Sequence, residues 1–289
     1  MPVDFFEGQR QVNNWSVKIN IFRKSTVFRR TVGACFVLAI YVAIGHAIED
    51  YFKVTMPFKF GEATLLGGVL SLLLVIRTNS AYDRWWEGRK LWGALVNHCR
   101  NLTLKIKNMV DAPEEEKLQA SEWVVSFPYC LKDHLRGGPT AETLEHLPQP
   151  LPDDVSHVPS HISSKLFCRL KTWRSEGRVD KFDYHLIDQH ISALMDICGA
   201  CERIRNTPPP LSHRALIPQL LIIYLVIAPL GVEPTWSSAL LGLGIAYFLI
   251  GIEVVAEELE EPFGQDTDDL PLDTISRNIK RSVREIIRT

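Results

Sequence analysis

Apolar and polar positions are spread very unevenly along the 289-residue chain. Four windows, Val27 to Ile48, Phe60 to Ile76, Leu216 to Val232 and Trp236 to Ala256, approach the roughly 20-residue apolar length that crosses a bilayer core. They are apolar on every side of a helix rather than along one stripe, and they predict four transmembrane helices in two pairs. The short stretches "EDYFKVTMPFKF" and "GVEP" join the members of each pair. Between the pairs, apolar residues recur at three- and four-residue intervals in two places: Trp85, Trp92, Val96, Leu102 and Ile106, then Ile187, Ile191, Leu194 and Ile197. This spacing predicts two long amphipathic helices. They flank a Pro- and His-bearing stretch, "GGPTAETLEHLPQPLPDDVSHVPSHISS", expected to be an exposed loop. Pro208, Pro209 and Pro210 stop the second helix just before the third span, since a run without backbone donors cannot continue it. No repeat and no β pattern is visible, so the expected fold is all-α. The expected division is 1–76 (N-terminal segment and first span pair), 77–213 (helical region with the Pro-rich loop), 214–256 (second pair) and 257–289 (acidic turn and final helix).

The mean hydropathy, near zero, averages these unlike segments. A net charge of −2, with no basic run interleaved with aromatics, sets nucleic-acid binding aside. Lys and Arg instead mark topology. Arg23 and Lys24 precede the first span, Arg29 and Arg30 lie in its opening turn, and Arg77, Arg84, Arg89 and Lys90 follow the second. Arg203, Arg205 and Arg214 precede the third, and Lys280, Arg281, Arg284 and Arg288 lie beyond the fourth. Both termini and the long middle are therefore expected in the cytoplasm. The first window starts too late and runs too long for a cleaved signal peptide, so it reads as a retained span. Six scattered cysteines show no disulfide framework and are expected to be reduced.

Within the second span Gly61, Gly67, Gly68 and Ser71 are small, and Gly68, Leu72 and Ile76 share one helix face. Two readings stay open: a close-packing seam between spans, or a pore-facing stripe whose Leu72 and Ile76 form an apolar constriction. The stretch "RTNSAYDRWWEGRKLWG" then continues without a breaker and sets Arg77, Asn79, Asp83 and Arg84 just beyond the apolar zone, where polar groups are hydrated or paired. Trp85, Trp86 and Trp92 form an interfacial belt or pack neighbouring helices. "CGAC" (198–201) has redox-pair spacing but no βαβ setting. His157 and His161 are four apart, yet the proline in "HVPSH" disfavours the helix that would bring them to one metal. His185 and His190 fall on the second amphipathic helix. "EELEEPFGQDTDDLPLD" crowds carboxylates on a turn, which suits either calcium or a solvated helix end. No H-E-x-x-H, phosphate loop or G-x-S-x-G is present, so an enzyme is not expected.

Two stretches together, "RTNSAYDRWWEGRKLWG" after the second span and "EELEEPFGQDTDDLPLD" after the fourth, resemble the bestrophins, particularly the bacterial and plant-plastid branches. The likeness extends over nearly the whole chain and includes "CERIRNTPPP" before the third span. It implies a bestrophin-like homopentameric channel with one central pore, its membrane neck lined by the second span. Counting back from Arg84 puts the neck at Gly68, Leu72 and Ile76. Gly68 departs from the bulky residue usual there. Counting back from Cys201 puts the cytosolic aperture near His185. The calcium clasp of animal relatives corresponds to the side chains of Asp266 and Asp269 and the carbonyl positions Glu258 and Glu261, in a run that Thr267 interrupts. The resemblance implies a passive channel for chloride or other small monovalent anions in a bacterial inner or plasma membrane. Its partners are membrane lipid and further copies of itself, and no cofactor is required unless calcium binds. A sodium-type cation channel of the same fold is the alternative, and a non-conducting membrane scaffold a more distant one.

Overall fold

The computed structural model describes residues 25–53, 60–140, 145–152, 155–232 and 235–289. Arg23, Lys24 and the centres of both short connections lie outside the described residues. Among those described, regular structure is entirely helical: α1 (Thr26–Phe52), α2 (Phe60–Met109), α3 (Glu114–Leu135), α4 (Val158–Ser175), α5 (Lys181–Asn206), α6 (Leu211–Ile227) followed by a 3₁₀ turn (Ala228–Gly231), α7 (Trp236–Glu260) and α8 (Leu272–Arg288). Four of these helices, α1, α2, α6 with its 3₁₀ turn, and α7, contain segments long and apolar enough to cross a membrane. The chain divides into two compact units: Met1–Asp83, Pro209–Glu260 and Asp266–Asp268, and then Arg84–Pro208, Glu261–Gln265 and Asp269–Thr289. α2 is one 50-residue helix that supplies residues to both, because nothing between Leu72 and Gly93 is a proline that would remove a donor.

In the first unit α7 packs against both α1 and α6. Leu70 and Leu74 of α2 meet Ile217 and Leu221 of α6 and Leu249 of α7, while Ala246, Ile250 and Val254 of α7 close on Val27, Cys35 and Leu38 of α1. Far more apolar surface stays outside: Phe36, Val37, Ile44, Ile222, Leu240 and Phe248 are all exposed. Helices apolar all round that bury only a narrow seam require an apolar medium or neighbouring copies around them.

In the second unit α3 is the central element, wrapped by α4, α5 and α8. Its first turn carries Glu114, Glu115 and Glu116 and its last turn Lys132 and His134, both matched to the helix dipole. Helix α5 starts on Asp180, whose carboxylate accepts from the backbone N–H groups of Phe182 and Asp183. Helix α8 buries Leu272, Ile275, Ile279, Val283 and Ile287 on one stripe. The stretch expected to be an exposed loop is more structured than that. Leu147, Leu151 and Val155 pack on the core, and α4 begins at Val158 with Pro159 in its first turn and His157 as its cap. A proline at that position starts a helix, since its missing donor is one of the helix's orphans in any case. The expectation that the proline would keep "HVPSH" from being helical is therefore corrected.

Candidate pore-lining helix and acidic turn

Adjacent glycines of α2 have opposite surroundings. A Cβ on Gly67 would lie 2.7 Å from the Tyr224 hydroxyl, whereas one on Gly68 would meet nothing within 4 Å. The same division continues along the helix. Leu70 and Leu74 are buried, while Leu72 and Ile76 are 62% and 52% exposed. Side-chain hydroxyls bond back onto the helix, Ser71 to Gly67 O and Thr78 to Leu74 O, both at 2.8 Å. The seam and the stripe, alternatives in the sequence, thus occupy different faces: Gly67, Leu70 and Leu74 pack, and Gly68, Leu72 and Ile76 lie together on the exposed side.

Just beyond Ile76 the helix turns Arg77 inward. Its guanidinium is 5% exposed and reaches Glu253 Oε1 at 2.8 Å and Glu260 Oε1 at 3.2 Å, and it donates to the backbone carbonyl of Arg214 at 3.2 Å. Arg214 in turn lies 3.0 Å from Glu260. Two cations and two carboxylates thus balance in one network, with Arg77, Glu253 and Glu260 shielded and Arg214 at its exposed rim. Of the two outcomes open for Arg77, hydration or pairing, the structure has pairing. Asn79 and Asp83 are exposed.

In the second unit Arg84 donates to the carbonyls of Thr207 and Ile204, where it caps the C-terminus of α5 and complements its dipole. His185 is exposed on the first turns of α5, beside exposed Phe182 and Leu186, with its ring edge-on to Tyr184. His190 faces the other way, its Nδ1 3.0 Å from Nδ1 of His98. Burial, then the charges of Lys105 and His98, push the His190 pKa down to about 4. Above about pH 6.5 His190 is neutral in folded and unfolded chains alike and its contribution is intact. As pH falls towards 4 the unfolded chain takes up the proton first, so stability is lost across that window. Denaturation midpoints between pH 7 and pH 4.5 should therefore fall more steeply for the protein than for His190→Gln, and parallel curves would reject this assignment.

The acidic turn is held by protein cations. In the second unit Arg136 Nε donates to the carbonyls of Phe263 and Gly264, at 3.2 and 3.0 Å, and its Nη1 pairs with Asp273 at 2.9 Å. Lys132 joins Asp273 at 2.7 Å. Burial opposes the Asp273 carboxylate, but the hydrogen bonds from Lys132 and Arg136 outweigh it and hold its pKa below the ordinary value. Phe263 and Leu270 seat over Gly88, where a Cβ would lie 3.1 Å from the Phe263 ring. Asp269 lies against Gly264. In the first unit the side chain of Glu258 pairs with Arg30 at 3.0 Å. Asp266 belongs to the first unit, Asp269 and Glu261 to the second.

The family profile of bacterial and fungal bestrophin proteins matches residues 8–285. The chain belongs to the bestrophin family. A voltage-dependent anion channel-forming protein of Synechocystis is 33% identical over 250 residues, covering 82% of this bestrophin and 80% of the relative. One of Nostoc is 35% identical over 229 residues, 75% of this chain and 74% of the other. Among solved structures, a bacterial bestrophin homologue from Klebsiella pneumoniae superposes with a TM-score of 0.79 at 22% identity, covering 92% of this chain and all of that one, which fixes the fold as that of a bestrophin channel protomer.

One cluster in this bestrophin has no signal in the sequence. His134 at the end of α3, His157 at the cap of α4 and Glu202 on α5 converge, with both histidine Nε2 atoms on Glu202 Oε1 at 2.6 and 2.7 Å. His161, the residue paired with His157 by spacing, instead lies against Trp123. Burial works against the Glu202 carboxylate, yet the hydrogen bonds from His157 and His134 outweigh it and lower its pKa. Cys198 is pushed up to about 12, chiefly by burial and then by the nearby Glu202 charge, and Cys201 is raised for the same first reason. Such buried thiols are not nucleophiles. The two stand as free cysteines in the core.

Proposed function

We propose that this bestrophin is a passive channel for small monovalent anions, assembled as five copies around a central pore. Its neck is formed by rings of Gly68, Leu72 and Ile76, and its cytosolic aperture lies near His185. The observation that carries the reading is the line of exposed residues, four apart, on one face of α2 while the opposite face packs on α6 and α7. A lone protomer has no reason to keep an apolar row uncovered beside a buried one unless that row faces a bilayer, a neighbouring copy or a pore. That the relatives of Synechocystis and Nostoc are named anion channel-forming proteins supports conduction of anions. The Lys and Arg distribution supports termini in the cytoplasm, and the bacterial sources of the relatives support a bacterial plasma-membrane location. Catalysis has no part in this reading.

A cation channel is kept as the second reading because of Arg77. Its charge is matched by Glu253 and Glu260, so it adds less to a positive field at the neck than an open arginine would. Calcium is proposed to be dispensable. Arg136 already supplies a cation to the turn's Phe263 and Gly264 carbonyls, and such carbonyls are what calcium would seek.

The deciding experiment is the reversal potential of purified protein in a planar bilayer under a salt gradient. A value near the chloride equilibrium potential supports the reading, and one near that of the cation replaces it with the second. Absence of any current or liposome flux would point to a scaffold. Repeating the recording with a calcium chelator should leave open probability unchanged.

A further inference from the structure

We propose that His134, His157 and Glu202 form a binding site for a divalent transition-metal ion, zinc foremost. The three donor atoms lie within 4.8 Å of one another, and they come from three helices, at positions 23 and 45 residues apart. Two imidazoles and one carboxylate are the ligand set with which zinc keeps a fourth position for water. Calcium and magnesium prefer all-oxygen cages and are poorly served by it. The side chains are 24%, 34% and 28% exposed, so water reaches the fourth position.

The distances define what the ion must change. Bonds of about 2.05 Å in a tetrahedron keep ligand atoms about 3.3 Å apart. Glu202 Oε1 therefore withdraws roughly 0.6 Å from each imidazole relative to the hydrogen-bonded arrangement, a small rotation for partly exposed side chains. The surroundings hold the ligands in place. Arg205 donates to the carbonyl of His134 at 2.8 Å. One contact opposes the ion. His157 Nδ1 accepts the Ser160 N–H at 3.1 Å, which leaves the proton on Nε2. Ligation through Nε2 moves that proton to Nδ1, where it confronts Ser160 N–H and gives up the α4 cap. A lost cap lowers affinity by only about five- to tenfold, little against the strength of three metal ligands. Once bound, the ion ties the end of the connection between α3 and α4 to α5.

The test uses the full chain, purified in detergent, stripped with a chelator and titrated with cobalt(II). One ion per subunit should bind, with visible d–d absorption that zinc abolishes by displacement, and zinc should raise the denaturation midpoint. His157→Asn is the sharp variant. Asparagine is a strong helix cap but lacks the imidazole, so the variant should fold normally yet lose at least about 100-fold in cobalt affinity. Glu202→Gln should lose a similar factor. The site is refuted if the unaltered protein takes up no stoichiometric cobalt, or if His157→Asn binds it as tightly.

Discussion

Replacing both Leu72 and Ile76 with alanine should raise ion flux by on the order of tenfold, read as single-channel conductance or as the decay of an imposed gradient in liposomes. A dewetted neck resists ions because its apolar wall does not hold water. A tenfold change needs only about 1.4 kcal/mol off that barrier, a small part of what several apolar carbons per copy, at about 0.8 kcal/mol each, can supply. Gly68→Leu should act in the opposite direction. The space around Gly68 is open, so a bulky side chain fits without clash, and in a ring of copies it adds a constriction. Leu74→Ala is the internal control. Leu74 is fully buried with Ile217, Leu221 and Leu249, so its truncation should cost about 2–5 kcal/mol of stability and leave the conductance of surviving channels unaltered. Unchanged conductance in the double variant would put the exposed row against lipid or a neighbouring copy.

What the sequence makes legible follows a physical rule. Segments whose surroundings are uniform announce themselves: the four spans are apolar all round, and α5 and α8 have one dry face and one wet face, so period and length suffice. Helix α3 announces nothing, because α4, α5 and α8 enclose it and even Lys132, Asp133 and Ser126 are buried within it, leaving no stripe to count. The start of α4 escapes notice because Pro159 reads as a breaker until its place in the first turn is known. Gly67 and Gly68 are both conspicuous as letters, but one residue of helix rotates the chain by about 100°, and only packing tells which glycine accommodates Tyr224. The meeting of His134, His157 and Glu202 depends on three helices docking, and no local pattern encodes it.

The arginines show where charge counting along a sequence overreaches. Counted as letters, Arg77 and Arg84 suggest a positive lining. In the structure Arg77 is matched by carboxylates, whereas Arg84 keeps its charge while donating to the neutral carbonyls at the end of α5, so a count of letters overstates what Arg77 adds to a positive field.

Arg77→Leu should be the most damaging single change in the first unit. It leaves Glu253 and Glu260, both largely shielded from solvent, with Arg214 as the remaining cation of the four-membered network. Breaking a buried pair from one side typically costs about 3–5 kcal/mol, because the abandoned charge stays in a poor solvent. The expected result is a large fall in the denaturation midpoint in detergent and in the yield of assembled protein. Arg77→Lys should recover little, since a single ammonium cannot reproduce a fork that reaches two carboxylates and the Arg214 carbonyl at once. Neutralising the stranded acid should help more. Adding Glu253→Gln to Arg77→Leu removes the uncompensated charge nearest the lost guanidinium, so the double variant should be more stable than Arg77→Leu alone. The cycle of single and double variants should yield a coupling within about 0.5–3 kcal/mol. If Arg77→Leu keeps its midpoint, or if the two changes simply add, the guanidinium does not hold these helices together.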